Sequence, residues 1–216
     1  RNSYPAQGPG VLLGILLSLS ACSLARASAD GSDLEIGNTG PGNGTFGHLR
    51  DFAFDAKNQL YVLDGLNYDP RAKKITGNGL VQVFDEKGKF VRQYSIRNEK
   101  LGDKEEPQRI AVDATGRVYI TYPKADLVAQ YGPDGKPEKE HTVRKALGVT
   151  PVTLGGKEKI AVIGSQKEVV NGKWTWVAGD AFWLIENGTL SAEPVKLSQT
   201  LTDVADLASD TAGHLY

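Results

Sequence analysis

The chain has 216 residues, 40% of them hydrophobic and 24% charged, which is the composition of an ordinary globular protein with one sizeable core. Its 25 Lys and Arg residues nearly balance 26 Asp and Glu residues, so it lacks the positive surface that nucleic-acid binding requires. One cysteine excludes an internal disulfide, and together with three scattered histidines it excludes a Cys/His zinc site of familiar spacing. We therefore expect no nucleic-acid partner, no cofactor and no metal site of this kind.

The first predicted element is an apolar run from Gly10 to Ala21. As a helix these roughly 12 residues span about 18 Å, against about 30 Å for the hydrocarbon core of a bilayer. The run is too short to cross a membrane alone, but its length is typical of the apolar region of a secretory signal. We expect a signal peptide over residues 1–21, which places the mature chain outside the cytoplasm.

Cys22 directly follows this run. The stretch Leu19-Ser20-Ala21-Cys22 resembles the lipobox of bacterial lipoproteins, in which the signal is cleaved before the cysteine and the sulfur receives a diacylglyceryl group. The resemblance implies that Cys22 is the lipid-attachment residue and that the protein is anchored to a bacterial membrane, in the periplasm or at the cell surface. Two alternatives stay open. Ordinary signal cleavage after Ala27 or Ala29 would remove Cys22, and the pattern could be a chance match.

Residues 22–47 are predicted to be the attachment cysteine and a flexible linker. The stretch 28–47 is rich in Gly, Ser, Asn and Asp and cannot bury enough apolar surface to fold alone. Within it, Gly42 to Gly47 matches G-x-G-x-x-G, but no predicted strand precedes it and no helix follows it. We therefore do not expect dinucleotide binding there.

From residue 48 onward the sequence repeats one unit. The stretch RDFAFDAKNQLYVLD (50–64) recurs as QRIAVDATGRVYITY (108–122) and ADLASDTAGHLY (205–216), and VTLGGKEKIAVIG (152–164) is a weaker copy. Each copy reads as an apolar strand, a polar turn and a second strand. Asp55, Asp113 and Asp210 recur at one position, which favours hydrogen bonds that stabilise the turn over a catalytic role.

Each unit continues with a hairpin. The hairpins lie at 80–96, 126–143 and 180–197, and their turns contain Gly88, Gly135 and Gly188, because glycine tolerates the positive φ that such turns need. Four short antiparallel strands in about 40 to 50 residues are typical of one blade of a β-propeller. The predicted fold class is all-β, a β-propeller of four-stranded antiparallel blades.

The pattern of apolar strand, Asp, Gly-containing turn, Tyr-Val and VQVFD..GKF hairpin resembles the NHL repeat. The resemblance covers residues 48–216 and implies a propeller of typically six blades, of which about three and a half are present, with the fourth repeat cut off at Tyr216. Uncovered faces at the two ends of such a partial ring would favour self-association. Propellers of this type include scaffolds, receptors, lyases and lactone hydrolases, so the resemblance implies a fold more than an activity.

Strand order assigns the connections to two rims. The turns inside the hairpins share one rim, while the links between second and third strands, and those between blades, share the other. The second rim carries three long insertions, at 64–79, 97–107 and 165–179. Because loops on a rigid scaffold are where binding residues concentrate, we expect a ligand on this rim near the central channel.

Seven residues of this rim are candidate ligand-binding residues. Trp174 and Trp176 would share one side of an extended segment and offer a flat surface for stacking. The competing interpretation is structural, with the aromatic pair packed between blades and the arginines solvated or salt-bridged. The seven candidates are Arg50, Tyr68, Arg71, Arg109, Lys124, Trp174 and Trp176.

These patterns predict an extracytoplasmic, lipid-anchored propeller that binds a protein, peptide or glycan without catalysis. The alternative is a propeller enzyme of the lyase or lactonase kind with Ca²⁺ or another divalent cation in the central channel. The innermost strands offer only Asp51, Asp203 and Asp206 for such a site, which weakens the enzyme alternative. A third interpretation is a structural propeller that only docks a partner in an envelope assembly.

Overall fold

The computed structural model describes most of the chain beyond residue 24. The described residues are 25–27, 34–39, 42–69, 71–170, 173–196, 206–210 and 214–216. The predicted signal peptide (1–21) and Cys22 lie outside them. Within the described ranges the chain consists of β-strands, with short 3₁₀ segments at Glu99–Lys104 and Pro123–Ala125. No helix in these ranges has the length and hydropathy that a membrane crossing requires.

Four short strands precede the first blade: β1 (Ala25–Ala27), β2 (Leu34–Ile36), β3 (Asn38–Thr39) and β4 (Thr45–Phe46). β1 pairs antiparallel with β2, and β3 pairs parallel with β4.

The first blade is an antiparallel sheet of four strands in chain order. Successive residues of a strand point to opposite sides of a sheet. The second strand of this blade carries apolar residues on both sides. Tyr61 and Leu63 face the second blade, whereas Leu60 and Val62 face the opposite side. The strands are β5 (Leu49–Phe54), β6 (Leu60–Asp69), β7 (Lys74–Phe84) and β8 (Phe90–Ser95).

The second blade repeats this topology with shorter strands. The short 3₁₀ turn Pro123–Ala125 joins its two middle strands, and Asp126 ends the turn in the left-handed conformation. Its strands are β9 (Ile110–Val112), β10 (Val118–Tyr122), β11 (Leu127–Tyr131) and β12 (Pro137–Thr142).

The third blade has a divided outer edge. Two short strands pair with different parts of the same neighbour, so that the outermost position of the sheet is shared between them. Its strands are β13 (Gly148–Leu154), β14 (Lys157–Val170), β15 (Lys173–Glu186), β16 (Thr189–Leu190) and β17 (Val195–Lys196). Beyond this blade a bridge between Ser209 and Leu215 begins the fourth repeat.

The blades pack face to face in chain order. The innermost strands β5, β9 and β13 are neighbours, and an apolar cluster fills each seam between adjacent blades. The second blade is buried on both faces, with Val118 and Ile120 toward the first blade and Tyr119 and Val128 toward the third. This arrangement is that of propeller blades, and it confirms the all-β fold class predicted from the repeats.

The two outer faces of this stack are not bare. Ile36 and Phe46 pack on the free face of the first blade, and Leu207 and Leu215 pack on the free face of the third. The self-association expected from uncovered faces stays a prediction, with less exposed apolar surface to drive it than the repeat pattern alone suggests.

The aspartates of the repeat stabilise turns, as the sequence predicts. Asp113 accepts hydrogen bonds from the backbone N–H groups of Thr115 and Arg117, both at 2.9 Å, and from the Tyr119 hydroxyl at 3.2 Å. Asp55 binds its own turn and Tyr61 in the same way, and Asp210 binds the turn that precedes Tyr216. The three close copies of the repeat thus couple a tight turn to the tyrosine of the following strand.

Two of the predicted insertion loops are β-ribbons instead. In the first blade β6 and β7 stay paired out to Asp69 and Lys74, and in the third blade β14 and β15 stay paired out to Val170 and Lys173. We call these ribbons the first arm (66–77) and the second arm (165–178). The rim that carries them is the arm rim, and the opposite rim, formed by the tight turns, is the turn rim.

A glycine lies where each arm leaves its blade. The pairing register shifts between Asp64 and Leu66 in the first blade and between Ile163 and Ser165 in the third, as in β-bulges. A Cβ on Gly65 would lie 2.5 Å from Cγ of Arg50, and one on Gly164 would lie 2.4 Å from the carbonyl oxygen of Arg144. A larger residue at either position would therefore displace the Arg50 side chain or the Arg144 backbone.

The end of the predicted linker is bound to the first blade. The buried carboxylate of Asp64 accepts hydrogen bonds from the backbone N–H groups of Gly47 and His48. The buried amide of Gln82 accepts from Gly44 N–H at 2.9 Å and donates to the carbonyl of Thr45 at 2.6 Å. Residues 44–48 therefore belong to the propeller body.

Candidate functional site at the arm rim

Three charged side chains from two blades meet at the arm rim, and we call them the rim cluster. Arg50 lies in β5, Glu106 in the link between the blades, and Lys124 in the short turn of the second blade. Nη2 of Arg50 donates to the Leu66 carbonyl at 3.0 Å and to Oε1 of Glu106 at 3.2 Å, while Lys124 pairs with Oε2 of the same carboxylate. Glu106 therefore joins the first blade to the second.

The electrostatics of the rim cluster follow from this pairing. Burial raises the pKa of Glu106, but the Lys124 ammonium and the Arg50 guanidinium outweigh burial and hold the pKa below its usual range. Glu106 is thus ionised at neutral pH. The Lys124 side chain is still 52% exposed, so a carboxylate on a ligand could approach it from solvent.

A second set of charged residues lies at the start of the innermost strands. Asp51, Arg109 and Asp206 occupy the same position in successive close copies of the repeat. Oδ2 of Asp51 accepts from the backbone N–H of Ile110 at 2.9 Å, and Nε of Arg109 lies 2.8 Å from Oδ2 of Asp206. Asp51 thus contacts the second blade, and Arg109 contacts the fourth repeat beyond the third blade.

The third blade makes this contact between Arg109 and Asp206 sterically possible. A Cβ on Gly148, at the start of β13, would lie 2.7 Å from the backbone nitrogen of Leu207 and 2.9 Å from the carbonyl carbon of Asp206. Without a side chain on Gly148, residues 206–207 lie directly against this strand. Asp206 can then reach across it to the second blade.

Asp51 is the most perturbed carboxyl group at this rim. Burial raises its pKa to about 6, against the opposing effects of the hydrogen bond from Ile110 and the nearby Arg109. The carboxyl group therefore takes up a proton near pH 6 in the folded protein. Strongly shifted carboxyl groups in a cleft are typical of functional sites, although structural ion pairs shift them too.

The structure places three of the seven predicted residues near the blade links and the others in the arms. Arg50 and Lys124 meet at Glu106, and Arg109 lies just before β9, paired with Asp206. Tyr68 and Arg71 lie in and beside the strands of the first arm, where Arg71 is exposed. The backbones of Trp174 and Trp176 lie in β15, opposite Val169 and Lys167, and the shared stacking surface of the two rings stays a prediction. The side chains of Tyr68, Trp174 and Trp176 lie outside the described part of the structure.

The sequence did not indicate Glu106 as a partner of these cations. It lies in the link between blades, outside the repeat, so no periodic position marks it. The pairing of Arg109 with Asp206 did leave a signal, since opposite charges recur at one repeat position. These opposite charges predict a pairing only when the stacking order of the blades is known.

The carboxylates near the inner strands do not fit a divalent cation. Among the described residues no three His, Cys, Asp or Glu side chains converge on one point. Asp51 and Asp206 flank the Arg109 guanidinium, whose positive charge would repel a metal ion. Asp203, the other residue considered for such a site, lies outside the described residues.

No protein-family model matches the chain, and no curated protein matches it in sequence. Three solved structures are similar to it in fold. A protein of unknown function from Desulfotomaculum acetoxidans DSM 771 is 13% identical at a TM-score of 0.52 and aligns with 89% of this chain and 54% of its own length. A protein of unknown function from Bacteroides caccae is 14% identical at 0.51, over 89% and 62%. The WD40 domain of Neurospora crassa Pan2 is 13% identical at 0.50, over 87% and 49%.

The chain spans about half to three fifths of the length of these structures. At such low identity the likeness concerns the fold alone. Four-stranded antiparallel blades that pack face to face in chain order, together with this likeness, show that the chain folds as an incomplete β-propeller.

Proposed function

We propose that the protein is an extracytoplasmic, lipid-anchored propeller of the NHL type that binds a protein, peptide or glycan at its arm rim. The observation that supports this proposal is the pair of arms. The second blade joins its middle strands with the short turn Pro123–Ala125, whereas the first and third blades extend the same connection into paired ribbons. Because a short turn is sufficient for a blade, the additional chain in the arms is free to serve recognition.

The first arm has a cationic tip. Residues 71–74 are exposed and include Arg71, Lys73 and Lys74, with Asp69 as the nearby acid, whose carboxylate accepts from Arg71 N–H at 2.8 Å. The second arm contains Trp174 and Trp176, whose backbones pair with Val169 and Lys167. Charged and aromatic residues on protruding elements are typical of recognition surfaces.

The rim cluster supports binding more than catalysis. Its two cations pair with Glu106, and the nearby Arg109 pairs with Asp206. An acidic group on a ligand would replace these carboxylates as the partner of the cations. The enzyme alternative, with Ca²⁺ or another divalent cation, would need carboxylates free of cationic neighbours. Turnover of a lactone by the purified chain in the presence of Ca²⁺ would favour that alternative.

Shortening the second arm tests the proposed binding surface. Residues 165–178 are replaced by the four residues of the second-blade link, Pro-Lys-Ala-Asp, which leaves the pairing of Ile160–Ile163 with Phe182–Ile185 in place. We expect the wild-type chain to bind members of an array of peptides and glycans, and the shortened variant to lose at least tenfold in affinity with an unchanged far-UV spectrum. The matched control replaces the exposed turn residues Glu86 and Lys87 by Ala. Equal binding by all three proteins would contradict the proposal.

The lipid anchor has its own test. Cells that express the complete open reading frame are grown with a radioactive fatty acid, and the labelled protein is compared with the Cys22→Ala variant. We expect the label on the wild-type protein and none on the variant, since Cys22 is the only thiol in this chain. Equal labelling of both proteins would contradict lipid attachment at Cys22 without affecting the arm-rim proposal.

A further inference from the structure

Among the described residues, the turn rim carries a groove at each of two successive seams between blades. The first groove lies between the first and second blades and has a volume of about 440 Å³. The second groove lies between the second and third blades and has a volume of about 590 Å³. Both volumes are in the range of small-molecule sites.

The two grooves are equivalent by repeat. Each is lined by the turn aspartate and its tyrosine, Asp55 and Tyr61 in the first and Asp113 and Tyr119 in the second. Each also contains a basic residue from the outermost strand of a blade. Arg92 and Lys139 are equivalent in register, because each lies opposite the third-strand residue that pairs with the tyrosine. The two grooves thus share an aspartate, a tyrosine and a basic residue, while the isoleucines Ile160 and Ile185 belong to the lining of the second groove alone.

The second groove has balanced charge. Its cations Arg117, Lys139 and Lys159 are matched by the carboxylates of Asp113, Glu138 and Glu158. These charges are engaged within the protein. Nε of Arg117 lies 3.1 Å from Oε2 of Glu138, Lys139 donates to the carbonyl of Gly188 at 2.7 Å, and Glu158 accepts from Ala114 N–H at 2.7 Å. A simple cation or anion gains no net attraction from such a lining.

The groove also has two kinds of surface. Ile160 and Ile185 lie at the base of the groove, where each is 2% exposed, whereas the walls present hydrogen-bond donors and acceptors side by side. The wall amide of Gln130 donates to Glu138 at 2.7 Å and contacts His141 at 3.1 Å, so its position is fixed by the protein. Donors and acceptors arranged around a narrow apolar base match a sugar ring, whose hydroxyl groups both donate and accept while its C–H face is apolar.

We propose that the groove between the second and third blades binds a neutral glycan unit, and that the equivalent groove at the neighbouring seam binds another unit of the same kind. This site lies on the opposite rim from the arms and goes beyond the binding surface proposed above. Two equivalent grooves side by side suit a ligand that itself repeats, such as a polysaccharide.

The test uses the fact that Ala114 and Thr115 line both grooves. Ala114 is exposed in the turn between them, so Ala114→Trp fills both grooves without entering an apolar core. The matched control is Glu86→Trp, in an exposed turn that lines neither groove. Maltohexaose, cellohexaose and chitohexaose are titrated into each protein by calorimetry, with hexaglutamate and hexalysine as charged probes.

We expect at least one neutral hexasaccharide to bind the wild-type chain and Glu86→Trp equally, and to bind Ala114→Trp at least tenfold more weakly. Unchanged thermal unfolding of Ala114→Trp shows that a loss of binding is local. The proposal is overturned if no hexasaccharide binds, if Ala114→Trp binds as well as wild type, or if only the charged peptides bind at the grooves. Shortening the second arm leaves both grooves in place, so failure here is distinguishable from failure of the arm-rim proposal.

Discussion

Replacing Asp113 by Ala is expected to lower the free energy of unfolding by about 3 kcal/mol. Asp113 is 8% exposed, and its carboxylate accepts from two backbone N–H groups, from the Thr115 hydroxyl at 2.6 Å and from the buried Tyr119 hydroxyl at 3.2 Å. Removing an acceptor that satisfies several buried or partly buried donors costs about 1 to 3 kcal/mol for each group left without a partner, and turn residues in water recover part of this. Urea unfolding followed by tryptophan fluorescence measures the change.

The matched control is Asp85→Ala. Asp85 accepts from the N–H groups of Lys87 and Lys89, at 3.0 and 2.8 Å, but it lies in a more exposed turn and contacts no tyrosine. We expect a loss of about 1 kcal/mol for this variant. Equal losses in the two variants would show that the link from the turn to the tyrosine does not stabilise the blade.

Gly164→Ala is expected to destabilise the protein by about 3 kcal/mol or to prevent folding. A Cβ there would lie 2.4 Å from the carbonyl oxygen of Arg144 and 3.2 Å from Cγ1 of Val143. The carbonyl belongs to the backbone between the second and third blades, so it cannot move without shifting their seam. The expected signs are a lower urea midpoint and increased proteolysis of the second arm.

Gly42→Ala is the matched control for this substitution. Gly42 has no positive φ, and its nearest neighbour would lie 3.8 Å from the new Cβ, at Oγ1 of Thr45. We expect its urea midpoint to equal that of the wild type. If Gly164→Ala unfolds at the same midpoint as Gly42→Ala, the close approach between the second arm and the blade link is not present in solution.

The sequence predicts the blades well because their signals are local. The turn aspartates, the tyrosine after each turn and the glycines of the hairpins all act over a few residues, and each kept its predicted role. The arms were not predicted as strands, since their glycines and polar residues are typical of loops. Their pairing depends on a bulge at Gly65 or Gly164, and a register shift of that kind leaves no periodic pattern.

Residues 44–48 show a second limit, which concerns predicting order from composition. Residues 44–48 contain little apolar surface of their own, which is why the sequence predicts a linker there. Their order comes from the blade, where the buried side chains of Asp64 and Gln82 bind their backbone groups. A composition rule measures what a segment can bury and does not register hydrogen bonds supplied by a distant strand.

The candidate site was predicted in part for a similar reason. Arg50, Arg109 and Lys124 could be placed on one rim from strand order alone. Their partners Glu106 and Asp206 could not be assigned, because Glu106 lies in an irregular link and Asp206 reaches the second blade across Gly148. Contacts that skip a blade become visible only in three dimensions.

The central claim is that the repeats stack in chain order, with the fourth repeat packed on the third blade so closely that Asp206 reaches Arg109 of the second blade. The most direct test is a double-mutant cycle of Arg109→Asp and Asp206→Arg, measured as free energies of unfolding in urea. Arg109→Asp places a third carboxylate beside Asp51 and Asp206, and each single variant should lose stability. We predict that the double variant regains about 1 kcal/mol relative to the sum of the single losses. Strictly additive losses would show that the second blade and the fourth repeat do not meet, and would contradict the placement of the fourth repeat on the third blade.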